Sequence, residues 1–225
     1  MAYIRCGGSV DHSIEDAILT GALAGEYKND RITKIENYRF AVNPALTKVV
    51  FNNVTEIGSS VFSTCHALVE AILPKLTTLG TNTFANDDLL ERVEMPEVTS
   101  IPERTFQYCY KLVTGIFRKA TSIASYGFGS CSELELIDCA ATVIQTNAFQ
   151  NSAVKTLIIR SDSVCTLNGT NAFNNTPFKS GGTGGTLYVP NDLIASYQAA
   201  TNWSTILGYA NNDIQAIEGS PYELS

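Results

Sequence analysis

Val54-Thr-Glu-Ile57-Gly-Ser-Ser-Val-Phe62-Ser-Thr-Cys65-His-Ala-Leu68-Val-Glu-Ala71-Ile-Leu73-Pro74-Lys-Leu76 is one copy of a pattern that returns along the chain. Its marker is Phe62. Phe40, Phe62, Phe84, Phe106, Phe128, Phe149 and Phe173 stand 22, 22, 22, 22, 21 and 24 residues apart. A period of roughly 20 to 50 residues signals a solenoid, in which each unit buries its apolar face only by stacking on the next.

Two apolar clusters surround each Phe. One precedes it: Val54 and Ile57 before Phe62, Leu76 and Leu79 before Phe84, Val98 and Ile101 before Phe106, Ala120 and Ile123 before Phe128. These spacings of three and five suit a turn of irregular or helical chain. The other follows it and alternates, as in Leu68-Val-Glu-Ala71-Ile-Leu73 and Leu90-Glu-Arg-Val93-Glu-Met95. Alternation with period two predicts a short strand. Pro74 and Pro96 should end two of these strands, because proline cannot donate to an interior ladder. One strand per coil, all pointing the same way, predicts a single parallel sheet along one side of a rod about 30 Å long. The expected fold class is an α/β repeat solenoid of about seven 22-residue coils, one short parallel strand per coil, capped at both ends.

Residues 1–31 show no copy of the repeat and are expected to form an N-terminal cap. Ser13-Ile-Glu-Asp16 has the form of a capping box ahead of the apolar 17–24 segment. The solenoid is expected over 32–190. A C-terminal helical cap and tail follow over 191–225, with an Asn-capped helix at Leu193–Ala200 and Trp203 closing the core. Lys179–Thr186 is glycine-rich and reads as a loop.

Hydrophobic residues make up 44% of the chain and charged residues only 16%, against roughly 25% charged residues in ordinary soluble domains. The surface must then be rich in Ser, Thr, Asn and Tyr. A net charge of −7 argues against nucleic acid or an anionic membrane as the partner. No apolar run approaches the ~18 residues of a membrane helix, so no membrane insertion is expected. No signal peptide is expected in this chain either, since Met1–Gly8 lacks a basic segment followed by an apolar one. Either the chain is not exported by that route, or the sequence is trimmed.

None of the six cysteines forms a Cys-x-x-Cys pair, so no metal site is expected. Cys65, Cys109 and Cys131 recur three residues after the marker Phe and read as a buried ladder. A disulfide between Cys109 and Cys131 is left open.

These residues resemble the BspA-like class of bacterial leucine-rich repeats. The family pattern is carried here by Leu68-Val-Glu-Ala71-Ile-Leu73-Pro74-Lys-Leu76-Thr-Thr-Leu79-Gly80-Thr-Asn-Thr-Phe84, with Cys65, Cys109 and Cys131 at its cysteine position. Asp87 and Ser152 depart from that position. The tail, Leu187-Tyr-Val-Pro-Asn-Asp-Leu through Trp203, is similar to the ending of many such proteins from gut Firmicutes and their phages and prophages. Ile4-Arg-Cys-Gly-Gly-Ser9 and Ala216-Ile-Glu-Gly-Ser-Pro-Tyr222 look closest to the phage-associated group. The resemblance implies an adhesin or a host-surface recognition module.

No catalytic constellation emerges. His12 and His66 lie in different parts of the chain, and His66 gives way to Asp, Tyr or Ser in other copies. The Gly181–Gly185 run lacks the Lys and helix of a phosphate loop. Asp87-Asp88 reads as a solvated turn, and no paired carboxylates recur. The chain is therefore expected to be no enzyme and to need no cofactor.

Recognition is expected on the outward sheet face. Counting from Phe, the outward column is Val50, Ile72, Glu94, Ile116, Asp138 and Ile158, followed by Tyr188 in the last strand. The flanking column is Lys48, Glu70, Arg92 and Thr114, continuing to Leu136 and Thr156. Apolar β-branched residues there reflect either strand propensity or a ligand-contact strip. Tyr108, Tyr110 and Tyr126 on the opposite side form a second candidate surface. The expected partner is a protein or a cell-surface glycan. The leading reading is a phage or prophage tail-associated protein that binds a host surface, located on a virion or extracellularly. The alternatives are a bacterial cell-surface adhesin and a structural spacer of a larger particle. A homo-oligomer or a larger virion assembly is compatible with each.

Overall fold

The structure is a computed structural model that describes residues 24–179, 184–208 and 212–224. The proposed capping box, Cys6, His12 and residues 180–183 of the 179–186 loop fall outside these residues.

The chain winds into a parallel-strand solenoid. The broad face carries β1 (Gly25–Lys28), β3 (Leu46–Val50), β5 (Glu70–Ile72), β6 (Arg92–Glu94), β7 (Thr114–Phe117), β9 (Leu136–Cys139), β11 (Thr156–Ile159), β13 (Thr186–Val189) and β14 (Asp213–Ala216). A second, narrow edge carries the two-residue strands β2 (Lys34–Ile35), β4 (Glu56–Ile57), β8 (Ser122–Ile123), β10 (Val143–Ile144) and β12 (Thr166–Leu167). Broad-face registers step by one repeat, pairing Val49 with Ala71 and Ile137 with Leu157. Alternation then sends Ala71, Leu73, Ile137, Cys139, Leu157 and Ile159 into the core, all fully buried.

The broad-face ladder runs past the repeat stretch at both ends. β1 lies in the segment read as non-repeating, and it pairs parallel with β3. Its Tyr27 takes the inward place of Val49, but Asn29 stands where Phe51 follows, which hides the alternation. Asn29 Nδ2 donates to the Tyr27 hydroxyl at 3.0 Å. At the other end β14 pairs with β13.

The expected single sheet is instead two sheets, β1-β3-β5-β6 and β14-β13-β11-β9-β7. No ladder joins β6 to β7. Gly115 sits at the inward position of β7. A Cβ there would stand 2.5 Å from Ile137 Cδ1 and 2.8 Å from Phe117 Cε2. Ile137 and Phe117 thus fill the space over Gly115, and β7 presents no inward side chain of its own at that position. Val93 is half-buried, whereas the matching Val49, Ala71 and Ile137 are fully buried.

The marker phenylalanines stack across the coils with centroids 5.2 to 5.6 Å apart and rings within 18° of parallel. Backbone at positive φ flanks them in two columns, on both sides for all but Phe173, which has it only on the following side. Tyr38, Ser60, Asn82, Arg104, Tyr126 and Asn147 lie two residues before it; Val42, Thr64, Asn86, Tyr108, Ser130, Asn151 and Asn175 lie two after. This alternation aims N–H groups along the axis. Ser60, Phe62 and Thr64 donate to the carbonyls of Thr81, Thr83 and Ala85 in the next coil. A threonine ladder runs outside the core: the hydroxyls of Thr55, Thr77, Thr99, Thr121 and Thr142 each donate to the carbonyl of the preceding threonine in the series, beginning with Thr33.

Short helices at Ile194–Ala199 and Trp203–Leu207 close the C-terminal end. The expected Asn cap is not used; no side-chain cap bonds the first helix, which follows a 3-10 turn at Asn191–Leu193. Trp203 is fully buried, donates its indole N–H to the Cys165 carbonyl at 2.6 Å and packs on Phe173 and Tyr197. It is a core plug rather than an exposed ligand platform.

Candidate functional site

The outward column divides at the broken ladder into an open half and a covered half. In the open half, Ile72 and Glu94 are half-buried and Ile116 is 46% exposed. Val50 points out too, but at 9% exposure it is enclosed by its registered neighbours Lys28 and Ile72. The flanking charges are spent on each other. Lys48 Nζ lies 2.8 Å from Glu70, whose other oxygen takes Arg92, and Arg92 reaches Glu94 at 2.7 Å. Hydrogen bonds from Lys48 and Arg92 hold the Glu70 carboxyl below the usual carboxylate range. Bonding to Glu70 in turn raises both cations. Such an exposed chain of ion pairs adds little stability, but it locks the charged side chains flat along the strands.

Where that chain ends, the parted strands form a cleft of about 450 Å³ lined by Arg92, Val93, Glu94, Val113, Thr114 and Ile116. Thr114 is exposed, and Val113 is 39% exposed. Val113 lies one residue before β7 and was not among the predicted site residues. The sequence signal for the cleft is glycine at a strand position that elsewhere holds an apolar side chain.

In the covered half the prediction of exposure fails. Asp138 is 2% and Ile158 1% exposed. Two arginines from neighbouring coils clamp Asp138. Arg118 Nε donates at 2.8 Å, and Arg160 donates through Nε at 2.6 Å and Nη2 at 3.1 Å. The C-terminal tail then lies over this surface. Arg160 Nη2 donates to the Tyr222 carbonyl at 2.8 Å, and the Tyr222 ring meets Tyr188 edge-on at 4.8 Å. Ile158 lies in register between Tyr188 on one side and Asp138 on the other. Nothing periodic in 217–224 announces this return.

On the opposite side, Tyr108 and Tyr110 touch at 6.2 Å and are 38% and 42% exposed. Tyr126 does not extend an open platform: the Arg104 guanidinium sits 5.5 Å over its ring, and Asn147 donates to its hydroxyl at 3.2 Å. His66 is exposed and paired with Asp88 at 2.7 Å.

Asp87 contradicts the reading of a solvated turn. It occupies the cysteine position and is fully buried. Cys65, Cys109, Cys131, Cys139 and Cys165 are all free and buried, so Cys109 and Cys131 form no disulfide. Burial pushes the Cys65, Cys131 and Cys139 thiols up to about 12, which leaves them unreactive at neutral pH. Among the described residues, no three His, Cys, Asp or Glu side chains converge as metal ligands, and no helix is long and apolar enough to cross a membrane.

The family described as "BspA type Leucine rich repeat region" matches in six copies, over residues 33–155 and 75–180. The crystal structure of a leucine rich cell surface protein from Faecalibacterium prausnitzii A2-165 is 28% identical, with a TM-score of 0.59, over 71% of this chain and 43% of that one. The match thus spans less than half of that chain's length. A leucine-rich repeat protein from Bacteroides ovatus ATCC 8483 is 17% identical, with a TM-score of 0.42, over 85% of this chain and 60% of that one. No curated protein matches.

Proposed function

This chain belongs to the BspA-type leucine-rich repeat family, and on that footing we propose that it is a non-enzymatic recognition module. It binds a protein or a cell-surface glycan through the open half of the outward sheet face. The observation that carries this reading is the cleft between β6 and β7. There the exposed apolar Ile116 and Val113 flank parted strands, beside charges already paired among themselves. Exposed apolar groups rimmed by polar ones mark partner surfaces, and unpaired strand edges offer backbone donors and acceptors.

The finer reading is a phage or prophage tail-associated protein that binds a host surface, carried on a virion. It is supported by the resemblance of the 4–9 and 216–222 segments to the phage-associated group. A bacterial surface adhesin is the second reading, favoured by the likeness to the Faecalibacterium cell surface protein.

The test is binding of the purified chain to candidate host cells and cell-wall glycans, alongside the double variant Ile72→Asp with Ile116→Asp. Loss of binding with an unchanged melting temperature supports the open half. Retained binding by the folded double variant excludes it. No binding by the wild-type chain to any of these surfaces favours a structural spacer.

A further inference from the structure

The covered half of the sheet face seats the segment after β14 on side chains from separate coils. Arg118, Asp138 and Arg160 come from three successive coils. Asp138, almost wholly buried, fixes the Arg160 guanidinium through bonds from Nε and Nη2, and the second N–H of Nη2 serves an acceptor above the sheet. Tyr222 supplies that acceptor with its backbone carbonyl at 2.8 Å. β13 presents Tyr188 outward, and the Tyr222 ring fills the edge-on position against it at 4.8 Å and 72°. Two guanidiniums against one carboxylate leave the floor with an excess positive charge.

The occupant is held lightly. Apart from the bonds from Arg160 and Asn191 its bonds are local, among them Ser220 N–H to the Ile217 carbonyl, Glu223 N–H to the Ser220 carbonyl, and Gly219 N–H to Glu223 Oε2. Glu218, Gly219, Pro221, Glu223 and Leu224 are exposed. The Asn191 N–H to Glu218 bond lies at the exposed start of the segment. Gly219, at φ +76° with open space around it, stands between β14 and the seated tyrosine as a natural pivot.

We propose that this half of the face is a binding site for a tyrosine-bearing peptide segment of a protein partner, occupied in cis by residues 218–224. Tyr188 takes the incoming tyrosine ring and Arg160 reads its carbonyl. The site is separate from the β6–β7 cleft, and its existence does not depend on what the open half binds.

The test uses the full chain and a fluorescein-labelled peptide of residues 217–224, followed by fluorescence anisotropy. In Tyr222→Ala the cis segment loses its anchor, and the peptide should bind roughly tenfold or more tighter than to the wild-type chain, where the tethered tail competes at high effective concentration. Adding Tyr188→Ala to Tyr222→Ala should abolish that binding, as should replacing the tyrosine of the peptide by alanine. Melting temperatures show that each variant is folded. No saturable binding to folded Tyr222→Ala overturns the proposal, and so does equal binding by wild type, Tyr222→Ala and the double variant. Concentration-dependent dimerisation of the wild-type chain that Tyr222→Ala abolishes would assign the site to the tail of a second copy and overturn the partner reading.

Discussion

The Cys109 thiol donates to the carbonyl oxygen of Phe84, 25 residues earlier, at 3.0 Å. Cys65 does the same to Phe40 and Cys131 to Phe106, each at 3.1 Å. The cysteine column is therefore a set of coil-to-coil hydrogen bonds as well as a set of small core side chains. Cys109→Ala removes a buried donor and leaves a small void, and should cost about 1–2 kcal/mol. Urea denaturation measures this; an unchanged midpoint would mean that the thiol contact contributes nothing.

Asp87 interrupts that column. Its Oδ1 accepts the Cys65 N–H at 2.8 Å, while Oδ2 is buried without a partner. Asp87→Cys restores the column and should stabilise the chain by about 1–3 kcal/mol at neutral pH.

The same residue sets a pH dependence. Burial raises the Asp87 carboxyl well above the usual carboxylate range, against the pull of the Cys65 N–H. The folded chain thus holds the proton more tightly than the unfolded chain. Its contribution is complete below the unfolded value of about 3.9 and is lost as pH rises through the raised folded value. Melting curves from pH 4 upward should show the wild type losing stability relative to Asp87→Cys. A difference that narrows as pH rises would sink the assignment.

Val42 is a β-branched residue at φ 59° and is 70% exposed. Asn86, Asn151 and Asn175 hold the same place in other coils. Left-handed backbone costs L-residues about 1–2 kcal/mol, least for Asn and Gly. Val42→Asn should therefore raise the melting temperature by about 2–4 °C, and a fall would show that Val42 makes a contact worth more than the strain.

Phe106 stacks between Phe84 and Phe128 and also touches Phe117. Phe106→Ala should cost about 3–5 kcal/mol. Because the ring is wholly buried, ligand contacts on the sheet face should survive in whatever fraction remains folded. A melting temperature equal to wild type would mean that the stack adds no stability.

Much of this architecture is legible in the linear chain because a solenoid's contacts fall at one fixed separation. A side chain that must be buried in each coil recurs every 22 residues, as Phe62, Phe84 and Phe106 do, and counting from it locates the strands and their inward residues. Asn29 masked the first strand, since one polar residue breaks a two-position alternation. Asp87 was misread because its polarity outweighed its place in the repeat.

By itself the sequence determined the coil, the ladder of rings and the direction in which each strand residue points, since those follow from local periodicity. Tertiary structure alone decided which outward residues meet solvent. Asp138 is covered by Arg118 and Arg160, which arrive from other coils, and Tyr222 meets Arg160 from the tail. The site's opening likewise depends on Ile137 and Phe117 filling the space over Gly115. Alternation dictates a side chain's direction, but only the packing of distant segments dictates what lies above it.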